Sequence, residues 1–149
     1  MDLCAMAYAY HKQGYNCAQS VAGAFSDLTG LDLKQTMAVA GGFGGGVGGS
    51  HTELCGAVSG AVMVLSLLYP HTDGGDPSTK KRVYALCKDL RQRFEAIFGK
   101  TRCGDLLAAR PGISAQTPAA ERLGLTGHCD IMIVTAVEIL EQMLNAERP

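Results

Sequence analysis

The sequence predicts an all-α fold: a single-domain bundle of about five to six helices, with a buried central helix after a glycine-rich loop. Three observations carry this expectation. Apolar residues recur at three- and four-residue spacing in stretches bounded by Gly, Asn, Asp and Pro, and no stretch alternates as a half-buried strand does. The chain is 47% hydrophobic with no tryptophan and few aromatics, so its core is built from alanine, leucine, valine and methionine, a mix that favours helices. Its 149 residues suffice for one domain with a real core and are too few for two comfortable ones, so 1–149 reads as one unit.

In chain order, Asp2 caps a first helix through about His11, which Gly14 ends. Asn16 caps a second, whose stripe is Ala18, Val21, Ala22, Phe25 and Leu28. Asp32 caps a short helix, Leu33 to Ala40. The glycine run from Gly41 follows, GGFGGGVGGSHTE, and then an uncharged stretch from Leu54 to Tyr69. Glycines this dense let the backbone visit positive φ and approach other groups closely. The run after Cys55 is too evenly apolar for a surface helix, so it belongs in the middle of the protein, with Thr52 as its expected N-cap. Gly56 and Gly60 share one face of it and admit a close helix neighbour.

Asp76-Pro77 is a strong helix start. The helix it opens carries Val83, Leu86, Cys87, Leu90, Phe94, Ile97 and Phe98 on one stripe and stops at Gly99. Thr101 is expected to cap a short turn from Arg102 to Ala109. Arg110–Gly127 reads as loop with a helical turn near Ala119–Leu123, and a last helix runs from His128 to about Ala146.

Composition excludes several functions. A net charge of −1 with scattered Lys and Arg gives no footprint for nucleic acid. The N-terminus, with Asp2 and no basic segment before an apolar core, is not a secretory signal. The Leu54–Tyr69 segment is short for a span and reads as a buried helix, so the chain is expected not to be membrane-embedded, and to be cytoplasmic. Six cysteines, at 4, 17, 55, 87, 103 and 129, include no C-x-x-C pair, which argues against a zinc knuckle, a thioredoxin motif and a C-x-x-C-H haem site. A site using them must be assembled by the fold.

Four of the six share a position. Cys17, Cys55, Cys103 and Cys129 each fall at the start of a predicted helix, where unpaired N–H groups and the helix dipole favour an anion. Thiolate is both the nucleophile and the metal ligand, and helix starts lower the thiol pKa. If the four starts converge they form a pocket for several thiolates or an anionic cluster, with Lys100, Arg102 and His128 as cationic support. The bland alternative is that a lone cysteine is a small core hydrophobe, which suits Cys87 and Cys4. His51 is a ligand or proton donor, or a solvated loop residue; Glu53 is a cap or proton relay; His11 and His71 read as surface residues. The glycine run lacks the Lys-Ser/Thr ending of a phosphate loop.

Gly14, Asn16, Cys17 and Ala18, the glycine loop into Glu53, Cys55-Gly56-Ala57-Val58-Ser59-Gly60, then Phe94, Phe98, Gly99, Cys103 and Cys129 together resemble the redox-active protein family named for its C_GCAxxG_C_C cysteine pattern. The resemblance implies that the family's recurrent cysteines are Cys17, Cys55, Cys103 and Cys129. Related domains occur in split-Soret cytochromes; the missing C-x-x-C-H implies no covalent haem here. The stretch before Cys129 is longer than the family pattern suggests.

Three functions follow as expectations. The first is a redox protein whose four cysteines hold an iron–sulfur cluster for electron transfer, with zinc or no metal as alternatives. The second is a thiol–disulfide protein with Cys55 as nucleophile and Cys17, Cys103 or Cys129 resolving. The third is a binding module sensing metal or redox state. A redox partner protein is implied, a link to a transporter comes from the resemblance, and a homodimer is compatible with the apolar helices. Whether the chain is an enzyme is left open.

Overall fold

Side-chain caps set four of the helix starts. In the computed structural model, which describes residues 1–147, Asp2 accepts from the Ala5 amide at 3.1 Å and opens α1 (Leu3–Lys12). Asn16 opens α2 (Cys17–Ala24) by a reciprocal box: Asn16 Oδ1 accepts from the Gln19 amide and Gln19 Oε1 from the Asn16 amide, both at 2.9 Å. Phe25 breaks the expected long second helix, and a single turn, α3 (Ser26–Thr29), ends at Gly30 with φ 78°. Asp32 caps α4 (Leu33–Ala40), and Asp76 with Pro77 opens α6 (Pro77–Phe98), which Gly99 stops at φ 79°. These starts agree with the sequence reading.

Two starts differ. The central helix α5 (Gly56–Leu68) begins later than Thr52 would place it, and Cys55 holds the N-cap position. Leu54 is drawn into an antiparallel bridge with Arg102, so the chain before Cys55 is not helical and the Thr52 hydroxyl pairs with Ser50 instead. Likewise Arg102, not Thr101, precedes α7 (Cys103–Ala108), and no side chain caps it. The expected turn in 110–127 is α8 (Pro118–Arg122), held by Glu138, which accepts from the Ala119 amide at 3.1 Å and from the Thr117 hydroxyl. The last helix is α9 (His128–Glu147). Among the described residues there are nine α-helices and no strand; the surplus over the expected five or six is the short α3, α7 and α8.

The core centres on α5, as its uncharged sequence requires. Gly56 through Ala61, with Val64 and Leu65, are buried, and α2, α6 and α9 pack around them. Each fully buried Val or Leu contributes roughly 1.5–3 kcal/mol of transfer free energy. Gly60 brings α2 close: a Cβ there would lie 2.5 Å from the Ala18 carbonyl oxygen and 3.1 Å from Ala18 Cα. From the other side α6 inserts Val83, Leu90 and Phe94, and α9 buries Ile131 through Val137, Ile139, Leu140 and Met143. Cys4 is part of this core at 2% exposure, its thiol donating to Glu141 Oε1 at 3.4 Å, and Cys87 packs at the core edge. Among the described residues no helix is long and apolar enough to cross a membrane.

Between α4 and α5 the glycine run makes a left-handed turn. After a short 3-10 turn at Gly41–Phe43, five consecutive residues, Gly45 to Gly49, have φ between 60° and 71°. Such a turn costs roughly 1–2 kcal/mol per residue with a Cβ, so glycine fills four of the five positions. Val47, at φ 65°, is the exception. The turn closes on itself: Gly48 donates to the Gly42 carbonyl and His51 to the Gly45 carbonyl, each at 2.8 Å. Asn16 Nδ2 donates to the Gly41 carbonyl at 3.0 Å, which ties the turn to the start of α2.

Candidate functional site

Backbone pairing, not side-chain capping, brings the first cysteines together. The Cys55 amide donates to the Thr101 carbonyl and the Cys103 amide to the Glu53 carbonyl, both at 2.8 Å, and the Gly104 amide donates to the His51 carbonyl at 2.7 Å. This short zipper places the start of α5 beside the start of α7. Gly46 then packs on Cys103, since a Cβ at Gly46 would stand 2.6 Å from Cys103 Cβ. Cys17, the first residue of α2, lays its sulfur over Gly56, where any side chain would collide with it. Cys129, the second residue of α9, completes the set. Its neighbour Asp130 pairs with His11 Nδ1 at 2.6 Å and so pins the end of α1 to the start of α9.

Cys17, Cys55, Cys103 and Cys129 all line one cavity of about 240 Å³, walled by Leu106, Leu107 and Met132. Cys87 and Cys4 are not among its lining residues. His11, His51 and His128 reach it too. The wall is predominantly apolar. Among the described residues, no three His, Cys, Asp or Glu side chains converge closely enough to share one metal ion. The donors stand around a space instead of on a point.

Burial, not the helix dipole, dominates the thiols. Cys55 is only 6% exposed, and burial first, then the neighbouring Cys17 sulfur, push its thiol up to about 12. The amides of Ala57 and Val58 favour its thiolate but offset only part of that. Burial and then Cys17 raise Cys103. Cys129 is the exposed member of the four, yet desolvation on its cavity side, then Cys17, Cys103 and Asp130, raise it as well. The expectation that helix starts lower the thiols is therefore corrected for Cys55, Cys103 and Cys129: in the metal-free protein, desolvation and mutual repulsion outweigh a few amides. The first amides of α7 are in any case spent on the Glu53 and His51 carbonyls.

The expected cationic support is also absent as drawn. Arg102 forks onto Asp105, Nη2 to Oδ1 at 2.7 Å and Nε to Oδ2 at 3.1 Å, on the exposed face of α7. His128 is held below the usual histidine range by burial and then by Arg110, which disfavours its cationic form. Glu53 acts through its carbonyl, with its side chain exposed, and His71 bonds Thr79 at 2.8 Å away from the cavity. Sequence reasoning missed His11, which it read as a surface residue. Only the fold brings it to Asp130, and nothing in MDLCAMAYAYHK marks it.

Among curated proteins, the chain is 33% identical over 99 residues to an uncharacterized protein of Archaeoglobus fulgidus. That stretch covers 61% of this chain and 64% of the relative, so the match spans less than two thirds of the relative's length. No solved structure matches the chain. The family model described as "Putative redox-active protein (C_GCAxxG_C_C)" matches residues 15–143, from the cap of α2 to the last buried turn of α9 and across all four cavity cysteines, and the chain belongs to that family.

Proposed function

We propose that the four-cysteine cavity holds an iron–sulfur cluster and that the protein transfers electrons. The observation that carries this reading is the shared cavity: sulfurs from four separate helix starts line a single apolar space. The donor set fits the group, because four thiolates are the usual ligands of such clusters. Cys17, Cys55, Cys103 and Cys129 would hold it, and when bound it would supply one-electron redox chemistry. The family's redox character supports the same class of function.

Zinc–sulfur bonds of about 2.3 Å would gather four sulfurs on one point, whereas a cluster spreads its four cysteine ligands over several irons. The raised thiol pKa values are consistent with a site built for a bound cation-rich group: removing the metal leaves several sulfurs facing one another in an apolar space, where each disfavours ionisation of the next. The chain's own contribution is to gather the sulfurs, exclude water through Leu106, Leu107 and Met132, and leave Cys129 at an open rim for electron exchange.

A second reading, thiol–disulfide exchange, draws on Cys17, whose sulfur lies over Gly56 next to Cys55. Burial makes Cys55 a poor first nucleophile, so in that reading the exposed Cys129 would meet the partner first. One preparation separates the two. Protein purified without oxygen should be brown and contain iron and acid-labile sulfide. A colourless, metal-free protein whose thiol count falls by two on mild oxidation would replace the cluster with the disulfide. A cytoplasmic location, an unidentified redox partner protein and a homodimer accompany the electron-transfer reading as proposals.

A further inference from the structure

A second opening adjoins the four-cysteine cavity at the segment Leu54–Gly56. It is a groove of about 500 Å³, walled by Leu31, Val39, Phe43, Leu54, Met63 and Leu67, and no charged residue lines it. Consecutive residues divide between the two spaces: Leu54 lines the groove, while Cys55 and Gly56 line the cavity. Phe43 spans them too, since its ring side walls the groove and its carbonyl oxygen would stand 3.1 Å from a Cβ at Gly56. A volume of this order is that of a small-molecule site, roughly 300–1,000 Å³.

One hydroxyl in the groove is left over. Among the described residues the buried polar side chains are Ser20, Thr36, Ser59 and Thr135. Ser20 and Thr36 donate to carbonyls four residues back, at 2.8 and 2.9 Å, and Thr135 is sealed inside the core. Ser59 differs from all three. It is 8% exposed and lines the groove one turn beyond Cys55. Among the described residues its hydroxyl neither pairs with a carbonyl, as Ser66 does with that of Val62 at 2.8 Å, nor is closed off as that of Thr135 is. Buried polar groups are as a rule paired, so this one calls for an acceptor from outside the chain.

The lining narrows what that acceptor is. With no charged residue, the groove cannot offset the desolvation of an ionised or sugar-like ligand. Ser66 is already spent on Val62, so one free donor remains, too few for the backbone of a peptide. The occupant is an uncharged apolar molecule carrying a carbonyl. We propose that the groove binds a quinone, its ring on the leucine and methionine walls and one carbonyl accepting the Ser59 hydrogen bond. The site itself stands on the groove and the hydroxyl; the choice of a quinone among apolar carbonyl compounds rests on the redox reading, because a quinone exchanges electrons and this groove backs onto Cys55.

The test uses the purified full chain with ¹³C-labelled methionine methyls, titrated with duroquinone, whose ring carbons are fully methylated, and with durene, the matching hydrocarbon. Met63 reports the groove and Met132 the four-cysteine cavity. Duroquinone should shift Met63 saturably. Ser59→Ala should weaken duroquinone about three- to tenfold, the worth of one hydrogen bond, and leave durene as it was. It should not lower the melting temperature, since the hydroxyl has no partner to lose. In wild type the infrared carbonyl stretch of bound duroquinone should fall below its value in hexane, a readout that needs no variant. An unmoved Met63, an unshifted carbonyl stretch, or equal duroquinone affinity in wild type and Ser59→Ala overturns the proposal. A Met63 shift that follows protein concentration without ligand makes a second copy the occupant and overturns it too. The titration reads the same in iron-loaded and metal-free chain, so a protein that takes up no iron and sulfide overturns the cluster reading alone.

Discussion

The amide of Cys103 donates to the carbonyl of Glu53 at 2.8 Å, and that bond, with its Cys55–Thr101 and Gly104–His51 neighbours, is what makes two distant cysteines members of one site. The bonds join backbone to backbone, so no side-chain pattern announces them. They also explain why α5 and α7 start where they do.

The zipper is tested at Gly104. A Cβ there would stand 2.6 Å from the His51 carbonyl oxygen, a backbone atom that cannot swing aside. Gly104→Ala should lower stability by about 1–3 kcal/mol and reduce iron uptake out of proportion to the loss of helix. Denaturant unfolding beside metal content measures both. Unchanged uptake in a destabilised variant would separate the zipper from the site.

Close packing of α2 on α5 is tested at Gly60. Gly60→Leu must push against the Ala18 backbone and should cost well over ~3 kcal/mol, more than ordinary overpacking, because the obstacle is main chain. Gly42→Ala is the control: nothing lies within 4 Å of a Cβ there, so its melting temperature should stay within a few degrees of wild type.

Thiol reactivity should invert the order that helix starts alone suggest. In metal-free protein Cys129, the exposed member, alkylates first, and Cys55 and Cys4 last. The pH dependence follows with its sign. The folded-state pKa of Cys55 is about 12 against an ordinary value of 9.0, so the native protein holds that proton more tightly than the unfolded chain. Its contribution to stability is complete below pH 9 and is lost as pH rises from there towards 12. Mass mapping of alkylated peptides and melting curves across that range check both statements; rapid labelling of Cys55 would count against them.

Fold and site should come apart at Cys55. Cys55→Ser keeps the size and N-cap position of the residue, and α5 is held by Ala57, Val58, Ala61, Val64 and Leu65. Helical content by circular dichroism should be nearly unchanged, while iron and sulfide are lost. If Cys55→Ser or chelation instead unfolds the chain, the cysteines are a structural staple of the zinc-finger kind.

Val47 carries the strain of the glycine turn, a β-branched residue at φ 65° and exposed. Val47→Gly should stabilise the protein by up to about 1 kcal/mol, the gain in backbone strain being partly offset by the freer unfolded chain. A shift in denaturation midpoint at constant slope is the expected result.

What the sequence determined by itself is local. The capping side chains of Asp2, Asn16, Asp32 and Asp76 act within a few residues, and the stripe from Val83 to Phe98 and the uncharged run around Gly60 repeat at helical spacing, so their helices and buried faces were legible. The same locality put Cys17, Cys55, Cys103 and Cys129 at helix starts. Tertiary structure decided the rest. Starts without a capping side chain, at Gly56 and Cys103, are fixed by backbone pairing between the two segments that precede them, which is why Thr52 and Thr101 misled. The sign of the thiol shifts depends on how much water the assembled cavity admits and how near the sulfurs lie, and neither is a property of one helix end. His11 meets Asp130 only because α1 and α9 pack side by side; contacts between residues so far apart in sequence are set by the geometry of the whole core.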